Sequence, residues 1–74
     1  PELNIDISVE KIGNLTVSIF NLNGQRIHTV YNEIVTPNQI YNLNWDASHV
    51  SSGIYIVKVD APDMQYSKIV NLLK

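Results

Sequence analysis

Asp46 and His49 stand three residues apart, with Ser48, Ser51 and Ser52 beside them. A carboxylate, an imidazole and a hydroxyl are the parts of a hydrolytic triad, so this stretch is the first place to look for chemistry. A triad also needs its base within hydrogen-bond reach of the nucleophile and an oxyanion site next to both. Nothing around residues 46–53 supplies a strained elbow or a helix N-terminus. The same residues are ordinary turn formers: Asp46 accepts backbone hydrogen bonds and Gly53 supplies a sharp turn. His28 and His49 are the imidazoles available to a metal, but without a close carboxylate or thiolate partner they read as surface or rim residues. Tyr31, Tyr41, Tyr55 and Tyr66 with Trp45 could build an aromatic platform for a sugar, which requires several rings coplanar on one exposed face. Trp45 and Tyr41 instead share a face with Leu43, as core residues do. Asn14-Leu15-Thr16 matches a glycosylation acceptor and, at a strand start, is read as a chance match. No catalytic, cofactor or metal site is expected.

Composition points the same way. A chain of 74 residues makes one domain, and a domain of this size buries only roughly 60% of the surface exposed when unfolded. Without cysteine there is neither a disulfide framework nor a thiolate metal site, so packing and backbone pairing must hold the fold. Five Lys or Arg against seven Asp or Glu give a formal charge of -2, spread along the sequence. No basic patch suggests a nucleic-acid backbone or an anionic membrane surface, and no apolar run is long enough for a membrane helix. The first residue is Pro1, at the start of a strand-like run, so the sequence is expected to be a piece of something longer.

The elements that must position any site are strands. Residues 15–27 are two strand-like runs meeting at Asn23-Gly24, a pair that favours a two-residue hairpin turn with positive φ at both positions. That turn sets Leu22 against Gln25, Phe20 against Ile27, Ile19 against His28 and Val17 against Val30. Leu15, Val17 and Ile19 alternate with Thr16 and Ser18, so one face is buried. Phe20 and Leu22 break that parity: either a bulge near Ile19 rotates the strand end or the hairpin tip is covered on both faces. Before the hairpin, residues 3–9 alternate with Leu3, Ile5, Ile7 and Val9 on the buried side. Gly13-Asn14 forms the corner, and Ile12 is placed to plug one end of the core. After it, Thr36-Pro37-Asn38 breaks the pattern. Tyr41, Leu43 and Trp45 then share one face, with Asn42 and Asn44 opposite. Residues 54–59 are apolar on both faces, as in a strand near the middle of a sheet, Ala61-Pro62-Asp63-Met64 closes it with a turn, and residues 66–74 form its antiparallel partner. Six to seven short strands, turn signals throughout and no helical period predict an all-β, Ig-like antiparallel sandwich.

Three blocks together resemble the C-terminal sorting domain of proteins exported by the type IX secretion system of Bacteroidetes-type bacteria. The first, residues 19–27, is an apolar strand followed by Asn21, Leu22, Asn23, Gly24, a polar pair and Ile27. The second, Val50-Ser51-Ser52-Gly53-Ile54-Tyr55-Ile56-Val57-Lys58-Val59, is a short polar turn ending in Gly that leads into an aliphatic-Tyr strand. The third is Lys68-Ile69-Val70-Asn71-Leu72-Leu73-Lys74, similar to the family's closing signature of a Lys, an aliphatic run and a terminal Lys. Family members commonly carry a Pro-Asn-Pro segment before the first strand, where this sequence has Pro1-Glu2.

The resemblance implies a non-enzymatic, monomeric address module at the end of a larger secreted precursor. Its partners would be the outer-membrane type IX machinery and a sortase-like protease, with a cargo domain upstream. The route would run through the periplasm and outer membrane to the cell surface or medium. Recognition would fall on Lys68, Ile69, Val70, Leu72, Leu73 and Lys74, with Asn23, Gly24, Gly53, Tyr55 and Trp45 as structural motif residues. Two other classes fit parts of the pattern. The Ig-like part of flagellar hook-capping proteins resembles Trp45-Asp46 and Gly53-Ile54-Tyr55, though its chain end differs. An Ig-like or fibronectin-like accessory module would act as a spacer or bind polysaccharide.

Overall fold

The computed structural model describes residues 2–73, which form six antiparallel strands: β1 (Glu2–Ile7), β2 (Gly13–Phe20), β3 (Arg26–Val35), β4 (Tyr41–Asp46), β5 (Gly53–Ala61) and β6 (Met64–Leu72). They lie in two sheets, β1-β4 and β3-β2-β5-β6. The connections β1 to β2, β3 to β4 and β4 to β5 each cross from one sheet to the other, which makes the expected sandwich. Its core follows the alternation in the sequence. Leu15, Val17 and Ile19 from β2, Val57 and Val59 from β5, and Ile7, Leu43 and Trp45 from the small sheet are all buried. Val9 is buried just past the end of β1, so the odd face of the first run stays inward beyond its ladder.

The central hairpin differs from the expected turn. Asn21 N–H donates to the Gln25 carbonyl at 3.0 Å and Gly24 N–H to the Asn21 carbonyl at 3.1 Å, so residues 22–24 form a three-residue loop. Gly24 has φ +82° while Asn23 does not enter positive φ, which is a type I turn followed by a left-handed residue rather than a two-residue turn on Asn23-Gly24. The Asn21 carboxamide decides between the two. Its Oδ1 accepts from Asn23 N–H and Gln25 N–H, each at 3.0 Å, and wraps the loop one residue wider.

The pairing shifts accordingly. Phe20 faces Arg26 and Val17 faces Tyr31, while Ile19 faces His28 as expected. Two irregularities leave Ile27 and Val30 as extra residues on β3, whereas β2 skips none, so the bulge near Ile19 is on the partner strand. Phe20 stays on the outer face with Thr16 and Ser18, and Leu22 is 64% exposed, so neither a rotated strand end nor a cover over the tip accounts for the parity break. Ser18, expected on the solvated face, is buried because Thr29 and Lys58 flank it in register on both sides of central β2.

Gly24 is the position where this turn depends on glycine. A Cβ there would meet nothing within 4 Å, so a substitution is opposed by backbone conformation alone. Gly24→Val is expected to lower stability by about 1–2 kcal/mol, seen as a reduced urea midpoint at unchanged slope. An unchanged midpoint would contradict the turn.

At the opposite end of the sandwich, a Cβ on Gly13 would stand 2.5 Å from Pro62 Cγ. Glu10 N–H donates to Asp63 Oδ2 at 3.1 Å nearby, so the β1–β2 loop is seated on the β5–β6 turn. The expected plug does not form: Ile12 is 67% exposed, and the Pro62 ring closes against Gly13 at this end instead.

Candidate recognition surface

The residues first suspected of chemistry are turn residues. Asp46 Oδ1 accepts from Ser48 N–H at 3.0 Å, an Asx turn leading out of β4. That backbone bond, then a Ser48 hydroxyl bond and the nearby His49, hold the Asp46 carboxyl below its ordinary value. A carboxylate with a depressed folded pKa stabilises the fold above its unfolded value, near about pH 3.9, and this stabilisation is lost as pH falls through the folded pKa. Asp46→Asn keeps the turn acceptor and removes the titration, so its melting temperature should fall less than that of the parent between pH 6 and pH 3. Equal falls would mean that the Asp46 turn contributes nothing to acid sensitivity.

His28 and His49 line one cleft beside Trp45, yet among the described residues no group of three or more His, Cys, Asp or Glu is placed to hold a metal. Trp45 is only 6% exposed. His28 stacks on it at 5.9 Å between centroids and 20° between planes, and Tyr55 meets it edge-on at 6.4 Å and 76°. Tyr31 and Tyr41 are tilted by 50°. These rings pack into the sandwich or across one another and make no coplanar platform for a sugar. Asn14, Thr16 and Asn32 hydrogen-bond to one another across β2 and β3, so the glycosylation-like triplet supplies a strand-pairing network.

The second block has a definite structural job. Tyr55 lies at the start of β5, and its hydroxyl donates to the Ser51 carbonyl at 2.8 Å. A tyrosine near a strand start bonding back to the chain just upstream pins the corner between sheets, as in Ig-like sandwiches. Gly53 begins β5 opposite Leu72, which places the second and third blocks side by side.

The third block supplies residues 68–72 of β6, which among the described residues pairs only to β5. Its even residues face inward and its odd ones outward. Val70 and Leu72 belong to the inner face and pack on the core, with Leu72 6% exposed. Ile69 and Leu73 are 70% and 76% exposed. Lys68 stands opposite buried Val57 and is therefore on the inner side, yet it is exposed because the two-stranded sheet does not reach over the middle of β6. Lys74 lies outside the described residues.

Ile69 also continues a row unmarked by the sequence motifs. Phe20, Ile56 and Ile69 are in register across β2, β5 and β6 on the outer face of the large sheet. The two-faced apolar character of residues 54–59 was the available signal. It marks β5 as an interior strand, but the outer side of that strand faces solvent, with Ile54 45% exposed. The structure thus offers exposed apolar side chains on a tail strand.

No curated protein and no solved structure matches the chain. A family model described as the secretion system C-terminal sorting domain matches residues 2–71, nearly the whole sequence and all three blocks up to Asn71. The chain belongs to this family, the C-terminal sorting domains of type IX secretion.

Proposed function

We propose that this domain directs an upstream cargo through the type IX system, from the periplasm across the outer membrane to the cell surface or medium. The outer-membrane machinery would read its tail strand, and a sortase-like protease would then remove the domain. The observation that carries this reading is the family match over residues 2–71. The exposed side chains of Lys68, Ile69 and Leu73 on a strand otherwise anchored by Val70 and Leu72 support it, because an address must be held by the fold and still be open to its reader. The domain is then the last part of a larger precursor and has no chemistry of its own.

The test separates folding from address. The domain is fused behind a periplasm-directed fluorescent passenger in a type IX-competent bacterium and compared with a version carrying Lys68→Ala and Lys74→Ala. Exposed charges change stability by under about 0.5 kcal/mol, so the purified variant should melt like the parent. The parent fusion should reach the surface or medium while the variant stays in the periplasm. A parent fusion retained in a strain that exports its own cargo would overturn the reading.

A further inference from the structure

The small sheet leaves a gap. Among the described residues β1 pairs with β4 alone, so its other edge presents unpaired backbone groups. Beside that edge is a cleft of about 220 Å³, with Leu3 and Ile5 on one wall, Val57 and Val59 at its floor, and Tyr66, Lys68 and Val70 on the other wall. The cleft exists because no strand lies over the middle of β6. β1 and β6 do not approach each other, Tyr66 is 43% exposed, and Leu3 and Ile5 are only half-buried.

The other edges are managed differently. β3 is twisted by its two extra residues, and β4 lies against β3, where the Tyr31 and Tyr41 rings meet. The outer edge of β6 is open too, but a strand added there would extend the large sheet and leave the cleft empty. β1 has no bulge, no proline within residues 2–7 and no inward charge to discourage pairing.

We propose that the β1 edge and this cleft form a seat for an extended segment of a partner protein. The segment adds to the small sheet as a third strand and carries one acidic side chain between apolar ones. The free backbone edge calls for a strand, since neighbouring strands sit about 4.8 Å apart and packed sheets about 10 Å apart, and a strand beside β1 falls over β6. Alternate side chains then cover Val59, Tyr66 and Val70. The acidic one meets Lys68, which has no hydrogen-bond or ion-pair partner among the described residues and is the one cation lining the cleft. Asp6, also at the cleft, accepts from Asn42 on the solvent side of the small sheet, and among the described residues no ion pair joins it to Lys68.

This inference goes beyond the sorting reading and is measured on the purified 74-residue chain, so its failure leaves the export result untouched. The probe is a seven-residue peptide alternating valine and threonine with a central glutamate, titrated into the labelled protein and followed by amide NMR. Shifts are expected along residues 2–7 and at Tyr66, Lys68 and Val70, with slowed exchange at every second β1 amide. Lys68→Glu should weaken binding of this peptide about tenfold, and the same peptide with a central lysine in place of the glutamate should bind the variant better than the parent. Three results would overturn the proposal: shifts confined to the outer edge of β6; equal binding of both peptides by parent and variant; or, without peptide, self-association or an N-terminally extended precursor that protects the same β1 amides, which would make a second copy or the chain itself the occupant.

Discussion

Trp45→Ala should leave the domain largely unfolded at 25 °C. Removing a buried Trp costs about 3–5 kcal/mol through lost transfer energy and the cavity left behind. A single core in a chain under about 80 residues supplies about the same amount. Trp45 is the largest side chain in this core, and its ring joins His28 and Tyr55, so its loss loosens the β3 and β5 contacts with the small sheet. Far-UV dichroism across a urea series should show a cooperative transition for the parent and almost none for the variant. Trp45 is also the only Trp. Parent emission should therefore be blue-shifted and resist a soluble quencher until the chain unfolds. A Trp45→Ala protein melting within a few degrees of the parent, or parent emission like that of free tryptophan, would remove Trp45 from the core.

How much of this was legible in the sequence depends on which interactions are local. Trp45 was placed in the core from its shared face with Tyr41 and Leu43, because strand alternation is a two-residue property that survives any tertiary arrangement. The antiparallel partner of β5 was legible for a similar reason, since a turn signal at residues 61–64 separates two strand-like runs; the structure narrows the connection to Pro62-Asp63 and carries the ladder out to Ala61 and Met64. The central turn was not. Asn-Gly favours one turn type, but the Asn21 carboxamide captures two backbone donors and selects another, and that competition is invisible to a dipeptide rule. Ile12 failed as a plug because Pro62, about fifty positions away, seats against Gly13 instead. The tail was legible as a motif, while the split between its anchored and open residues needed the register with β5. That register places Lys68 on the inner side, a position suited to packing, and only the narrowness of the small sheet leaves it exposed.

Leu72 and Leu73 are adjacent and face opposite ways, so together they separate stability from recognition. Leu72 is 6% exposed and closes the core opposite Gly53, and Leu73 is 76% exposed. Leu72→Ala is expected to cost about 2–4 kcal/mol, toward the upper limit of what a domain this small can lose and remain folded. Leu73→Ala should stay within about 0.5 kcal/mol of the parent. If the tail acts only by completing the sandwich, export of a fused passenger will follow melting temperature, and Leu73→Ala will be secreted like the parent. In the sorting reading both variants are retained, Leu72→Ala because the domain no longer holds its tail strand and Leu73→Ala because an open apolar contact is lost from an intact fold. Adding Ile69→Ala to Leu73→Ala strips the second strongly exposed apolar side chain of the tail and should deepen retention without moving the melt. A double variant that is both stable and fully exported would exclude the apolar side chains of the tail from recognition and leave the lysines to carry it.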